Sequence, residues 1–316
     1  MKYIELSTLR ILAVLLIVNS HLHLFYEYKY LATGGAIGNA IFFFISGIGL
    51  SYSLAKNKIN YFTWVKKRYL RIYPKLIIIV LFYILIGFIV VENTTDLFVT
   101  LIFPKEFWFL PVLTYFYLII YFIITNLKVK EIKKTLFVIF IIYLISYYLL
   151  IDNQRYSIEE NIFPKSIFYL FVMVLGVLAF KIYDKLYLGI EYSSFILFIS
   201  ISCFYLLKFI MLKYDYYFIQ FLEHFFILII LYSLLTFLKT KQIISFQKNK
   251  IMNIIIMFVS SISLEIYLTH SYFKEFPLSS FPLNILIFIP CVLISAYLLK
   301  KIFSFFENKI KNRKSF

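Results

Sequence analysis

The stretch WFLPVLTYFYLIIYFIITNL, residues 108–127, runs for twenty residues without a charged side chain. A helix needs about 20 apolar residues to cross the hydrocarbon of a bilayer. Transmembrane strands would read as alternating segments of about ten residues, and this run is continuous and longer, so it reads as a helix. Nine similar runs lie near 7–26, 35–55, 74–92, 135–151, 166–183, 192–212, 218–238, 251–271 and 282–303. The expected fold is therefore all-α: a polytopic bundle of about ten transmembrane helices over 1–303, followed by a basic tail over 304–316.

Composition points the same way. The 316 residues are 62% hydrophobic and 15% charged, whereas soluble domains carry about 45–50% apolar and about 25% charged residues. One core cannot bury that much apolar surface, which excludes a soluble enzyme, a disordered chain and a collagen-like fibre. The net charge of +16 raises the question of nucleic acid. Its distribution answers that question, because the cations sit in short loops between apolar runs, as membrane orientation requires. With the N-terminus inside, the inner segments hold 24 lysines and arginines against 6 in the outer loops. Both termini are thus expected in the cytoplasm. The first run leads into His21 without a small-x-small cleavage site and reads as a retained span rather than a signal peptide. Cys203 and Cys291 lie inside apolar runs and read as packing residues, not as a disulfide or metal framework.

Asn60 to Pro74, NYFTWVKKRYLRIYP, places Phe62, Val65, Tyr69 and Ile72 at helical spacing opposite a basic side. This pattern predicts an amphipathic helix in the cytoplasmic interface, with Pro74 opening the next helix.

Polar residues inside spans are costly and mark function. They are few here: Arg10, Asn19, His21, Asn39, Ser46, Glu223, His224, Glu265 and His270. Arg10 and His21 stand eleven residues apart, almost three full turns, so both project from one helix face about 16 Å apart. That suggests an elongated ligand with an anionic head at the inner surface and a reactive end near the histidine. Arg68 and Arg71, three apart, are placed to converge on one phosphate-rich group. Histidine, with a pKa near neutrality, suits general-base or nucleophilic work at His21. A carboxylate orients such a ring, and Glu265 is the expected partner, about 21 Å from the inner end of its span. Glu223 and His224, adjacent at an outer helix end, and His270, near the outer boundary, read first as interfacial residues, with the lining of an acceptor entrance as the alternative. Four histidines without H-x-x-x-H spacing argue against zinc. Gly34-x-x-x-Gly38 reads as a helix-packing motif.

The Arg10-x10-His21 arrangement resembles the signature of the membrane acyltransferase 3 family. FFFISGIGL (42–50), KKRYLRIYP (66–74), Trp108–Phe109 and SLEIYLTH (263–270) are similar to further family stretches, in the expected order. The resemblance implies transfer of an acyl group, commonly acetyl, from cytoplasmic acyl-CoA to a hydroxyl of a cell-surface or exported carbohydrate, at the plasma membrane. It implies that Arg10, Arg68 and Arg71 hold the CoA phosphates and that His21 is catalytic. The alternative class is a flippase moving a glycan precursor without chemistry, which would also need a polar track. Internal repeats would favour it, and none is visible by eye.

Overall fold

A backbone in lipid must satisfy its own hydrogen bonds, which continuous apolar runs achieve as helices. The computed structural model describes residues 3–57 and 59–313, and no strand occurs among them. The helices are α1 (Tyr3–Ser20), α2 (Gly35–Lys56), α3 (Tyr61–Leu85), α4 (Thr94–Ile102), α5 (Phe109–Asn126), α6 (Val129–Leu150) and α7 (Ile162–Lys181). They continue with α8 (Ile190–Tyr214), α9 (Phe221–Leu238), α10 (Lys241–Lys248), α11 (Lys250–Ser261), α12 (Ser263–Phe273) and α13 (Leu283–Arg313).

Among the described residues, seven helices are long and apolar enough to cross a membrane: α2, α5, α6, α7, α8, α9 and α13. The pair α11 and α12, bent by 67° at Ile262, makes an eighth if counted as one span. The protein is a polytopic helical bundle. Of the ten expected spans, those formed by α1 and α3 fall outside this set. In α3 the reason is visible, since Lys66, Lys67, Arg68, Arg71 and Lys75 crowd the stretch 66–75.

Three local expectations change. First, α3 is one helix of 25 residues, opened by the Asn60 side chain accepting from the Thr63 N–H at 2.9 Å, and it passes through Pro74 without ending. Its buried positions Trp64, Ile72 and Leu76 recur every fourth or eighth residue, so the packed stripe runs through Trp64 and Arg68, while Phe62 is 82% exposed. Second, the span holding Glu265 is broken at Ile262, so a depth counted along a straight helix does not apply to it. Third, α13 continues beyond Phe303 to Arg313; the end of the expected tail, 314–316, lies outside the described residues.

The chain divides into two compact units. The first comprises Met1–Ala13, Ala36–Ile59 and Leu118–Met257, and the second Val14–Gly35, Asn60–Tyr117 and Phe258–Phe316. Within the first, α6 packs on α7 and α8 on α9. There α2 and α7 touch backbone to backbone: a Cβ at Gly47 would lie 2.1 Å from the Met173 carbonyl oxygen, and one at Gly176 would lie 2.1 Å from that of Phe44. Small residues permit such approach in membranes. Gly34 also permits close approach, in the second unit: a Cβ there would lie 2.8 Å from Leu16 Cδ2 on α1, as the packing motif predicts for that residue. Within the second unit, α12 packs on α13 and α3 on α4.

Candidate functional site

The second unit gathers most of the singled-out residues. Helix α1 ends at Ser20, and His21 is the first residue of the turn beyond it, its N–H donating to the Val18 carbonyl at 3.0 Å. His21 is thus at the end of the helix rather than within it. Two asparagines fix that turn. The Asn19 amide donates to the carbonyls of Leu31 and Thr33 at 2.8 and 3.0 Å, and Asn19 Oδ1 accepts from the Tyr26 hydroxyl at 2.5 Å. Asn284, at the start of α13, donates to the Phe25 carbonyl at 2.7 Å.

The ring beside His21 is His270, with centroids 5.3 Å apart and planes tilted by 41°. His270 is buried on α12, and its Nδ1 lies 2.7 Å from the Tyr267 carbonyl oxygen. Phe107 and Phe109, on either side of Trp108, close over Tyr267 at 5.9 and 5.8 Å between ring centroids.

Glu265 does not join this pair. Its carboxylate accepts from Lys75 Nζ at 2.6 Å, an ion pair in which Glu265 is 3% and Lys75 16% exposed. No hydrogen bond links Glu265 to His21 among the described residues. Five residues along α12 rotate a side chain by about 140°, so Glu265 and His270 face different ways. The expected orienting role for Glu265 is replaced by a bracing one: together with the Tyr83 hydroxyl, which donates to the Leu268 carbonyl at 2.9 Å, the pair clamps α3 against α12. In the sequence Lys75 reads as one more cation at a membrane edge.

Arg68 is half-buried on α3, with its guanidinium 5.5 Å from the centroid of the Trp64 ring; Trp64 in turn meets Tyr117 edge-on at 5.9 Å. Arg71, one turn on, is exposed and forms no ion pair among the described residues. Arg10 is half-buried on the part of α1 that belongs to the first unit.

The four histidines now separate by what their nitrogens do. His224, expected at an interface, is buried in the first unit and fully engaged: Nδ1 is 2.7 Å from the Tyr143 hydroxyl, Nε2 is 3.2 Å from Glu159, and Phe168 stacks on the ring at 3.6 Å. Its neighbour Glu223, also buried, accepts from the Tyr156 hydroxyl at 2.7 Å. Both are covered by the segment 151–161, whose Ser157 and Ile158 N–H groups donate to Gln220 at 3.0 Å each. His23 is exposed. His21 remains, half-buried beside a second imidazole, with no side-chain hydrogen bond among the described residues. No group of three or more metal-ligating side chains occurs among them either.

An all-helical, multi-pass bundle with a lone imidazole pair among its helices defines the class, an integral membrane protein with the means for acid–base or nucleophilic chemistry. The particular family follows from comparison: the family model described as an acyltransferase domain, that of the acyltransferase 3 family, matches residues 3–301. The chain belongs to that family and is a membrane acyltransferase. No curated protein and no solved structure matches it.

Proposed function

We propose that this protein transfers an acyl group, in the first instance acetyl, from cytoplasmic acyl-CoA to a hydroxyl of a cell-surface or exported carbohydrate. The observation that carries the reading is the state of His21: in a chain of the acyltransferase family, it is the histidine whose ring is sheltered and whose nitrogens the protein leaves unused. A general base must keep a lone pair for the proton it abstracts. His224 has spent its own.

In this reading His21 takes the proton of the acceptor hydroxyl. The alkoxide attacks the thioester carbon, a C–O bond forms as the C–S bond breaks, and the proton ends on the departing sulfur. The same nitrogen is also suited to accept the acyl group first and pass it on in a second step. Arg68 and Arg71 share one side of one helix turn and supply forked donors suited to the donor's phosphates. Arg10 is assigned to the same role. The charge asymmetry supports N- and C-termini in the cytoplasm and, in this reading, an acceptor on the outer side of the plasma membrane.

Two measurements test the proposal. Inside-out vesicles containing the protein, given radiolabelled acetyl-CoA, should incorporate base-labile label into carbohydrate. Surface polysaccharide from cells lacking the gene should be intact in amount and missing acyl esters. Loss of the polymer itself would favour the flippase reading.

A further inference from the structure

We infer that His270 is a positioning residue for the transfer step, acting through His21. The inference rests on the reading of His21 given above and adds a second residue to it. A carbonyl oxygen only accepts, so the 2.7 Å contact between His270 Nδ1 and the Tyr267 carbonyl, with that of Ile266 at 3.3 Å, places the ring proton on Nδ1. The neutral ring then carries its lone pair on Nε2, which makes no hydrogen bond among the described residues. This is the tautomer needed to receive an N–H from a neighbour. The neighbour is His21, 5.3 Å away between centroids, near enough for one water to bridge the two rings.

Side-chain bonds hold the arrangement on both sides. On one, the Asn19 and Asn284 bonds hold the turn that carries His21. On the other, α12 is held by the Lys75–Glu265 pair and by Tyr83. When His21 takes the hydroxyl proton, its second N–H gains, through that water, an acceptor in His270 Nε2, as the third member of a hydrolase triad provides for its histidine. His270 itself neither gains nor loses a proton over the cycle: the hydroxyl proton goes to His21 and then to sulfur. A carboxylate in this position would carry a charge into a site where His270 is only 2% exposed, at a large desolvation cost; a neutral ring avoids it.

The test uses the full chain in membrane vesicles with radiolabelled acetyl-CoA, comparing wild type with His21→Ala, His270→Ala, His270→Gln and His270→Asn. Asparagine reproduces a donor near Nδ1, and glutamine reproduces an amide near Nε2. The inference predicts that His270→Ala lowers kcat about 10- to 100-fold while KM for acetyl-CoA stays within about threefold. It also predicts that His270→Gln recovers much of that loss and that His270→Asn does not. Should His270→Ala fail to fold, the Gln and Asn variants alone decide. The inference is overturned if His270→Asn is as active as wild type and His270→Gln is not, for the residue is then a helix tether. It is also overturned if every His270 variant transfers normally while His21→Ala is dead, or if KM rises as kcat falls. Wild-type vesicles that move no label from acetyl-CoA, or an active His21→Ala, would instead defeat the underlying reading, and this inference with it.

Discussion

Lys75 Nζ and Glu265 Oε1 lie 2.6 Å apart, joining the helix that carries Arg68 and Arg71 to the helix that carries His270. Eight residues further along α3, the Tyr83 hydroxyl makes a second tie to α12 at the Leu268 carbonyl. Removing one member of a buried ion pair strands the other, which costs about 3–5 kcal/mol. Glu265 is the more buried partner, whereas Lys75 has a long stem that can turn its ammonium toward headgroups. Lys75→Met should therefore lower the thermal midpoint in detergent more than Glu265→Gln. The double variant Lys75→Met/Glu265→Gln should lose clearly less than the sum of the two single losses. Strictly additive losses in the double variant would show that the two residues do not act as a pair.

For Arg68 and Arg71, the expected effect is on donor affinity. A hydrogen bond to a charged group contributes about 1.5–3 kcal/mol, so each change to glutamine should weaken acetyl-CoA binding about tenfold or more. Equilibrium binding to the purified protein reads this directly, with Lys66→Gln as the control on an exposed position. A double variant with wild-type affinity would reduce both arginines to orientation signals.

The α2–α7 contact leaves no room for a methyl group. Gly47→Ala and Gly176→Ala would each drive a Cβ against a carbonyl oxygen, whereas Gly49→Ala meets nothing within 4 Å. Overpacking typically costs about 1–3 kcal/mol. The first two variants should lose folded yield and thermal stability, and Gly49→Ala should match wild type in both. Equal behaviour of all three would show that α2 and α7 stand further apart.

Lipid explains why the helices were legible in the sequence and the site only in part. A span must be apolar along its whole length, so runs such as 108–127 announce themselves. Contacts across the bundle leave no such trace. Glu265 was recognised as a costly buried carboxylate, but its partner Lys75 resembled any other cation at a membrane edge. His270 was seen, yet only the fold brings α12 to the turn after α1. Glu223 and His224 stand at the end of an apolar run, where hydropathy suggests an interface; the segment 151–161 that folds over them is polar and looks like an ordinary loop. Pro74 carried a real helix-start preference that the continuous α3 overrode.

Orientation is open to a direct check, prompted by the 24-to-6 distribution of basic residues. A reporter active only in the cytoplasm should be active when fused after Phe316 and silent when inserted near Asn153. The opposite pattern would place donor and acceptor on the wrong sides and invalidate the assignment of the arginines to the inner surface.

The most direct test of the account is the rate of acetyl transfer by His21→Ala, measured beside acetyl-CoA binding in the same preparation. Loss of a general base typically costs about 10² to 10⁴ in rate. The account predicts a fall of that size with donor affinity unchanged, and normal transfer in His23→Ala, whose side chain is exposed. Near-normal transfer by His21→Ala, or loss of transfer in His23→Ala alone, would contradict it.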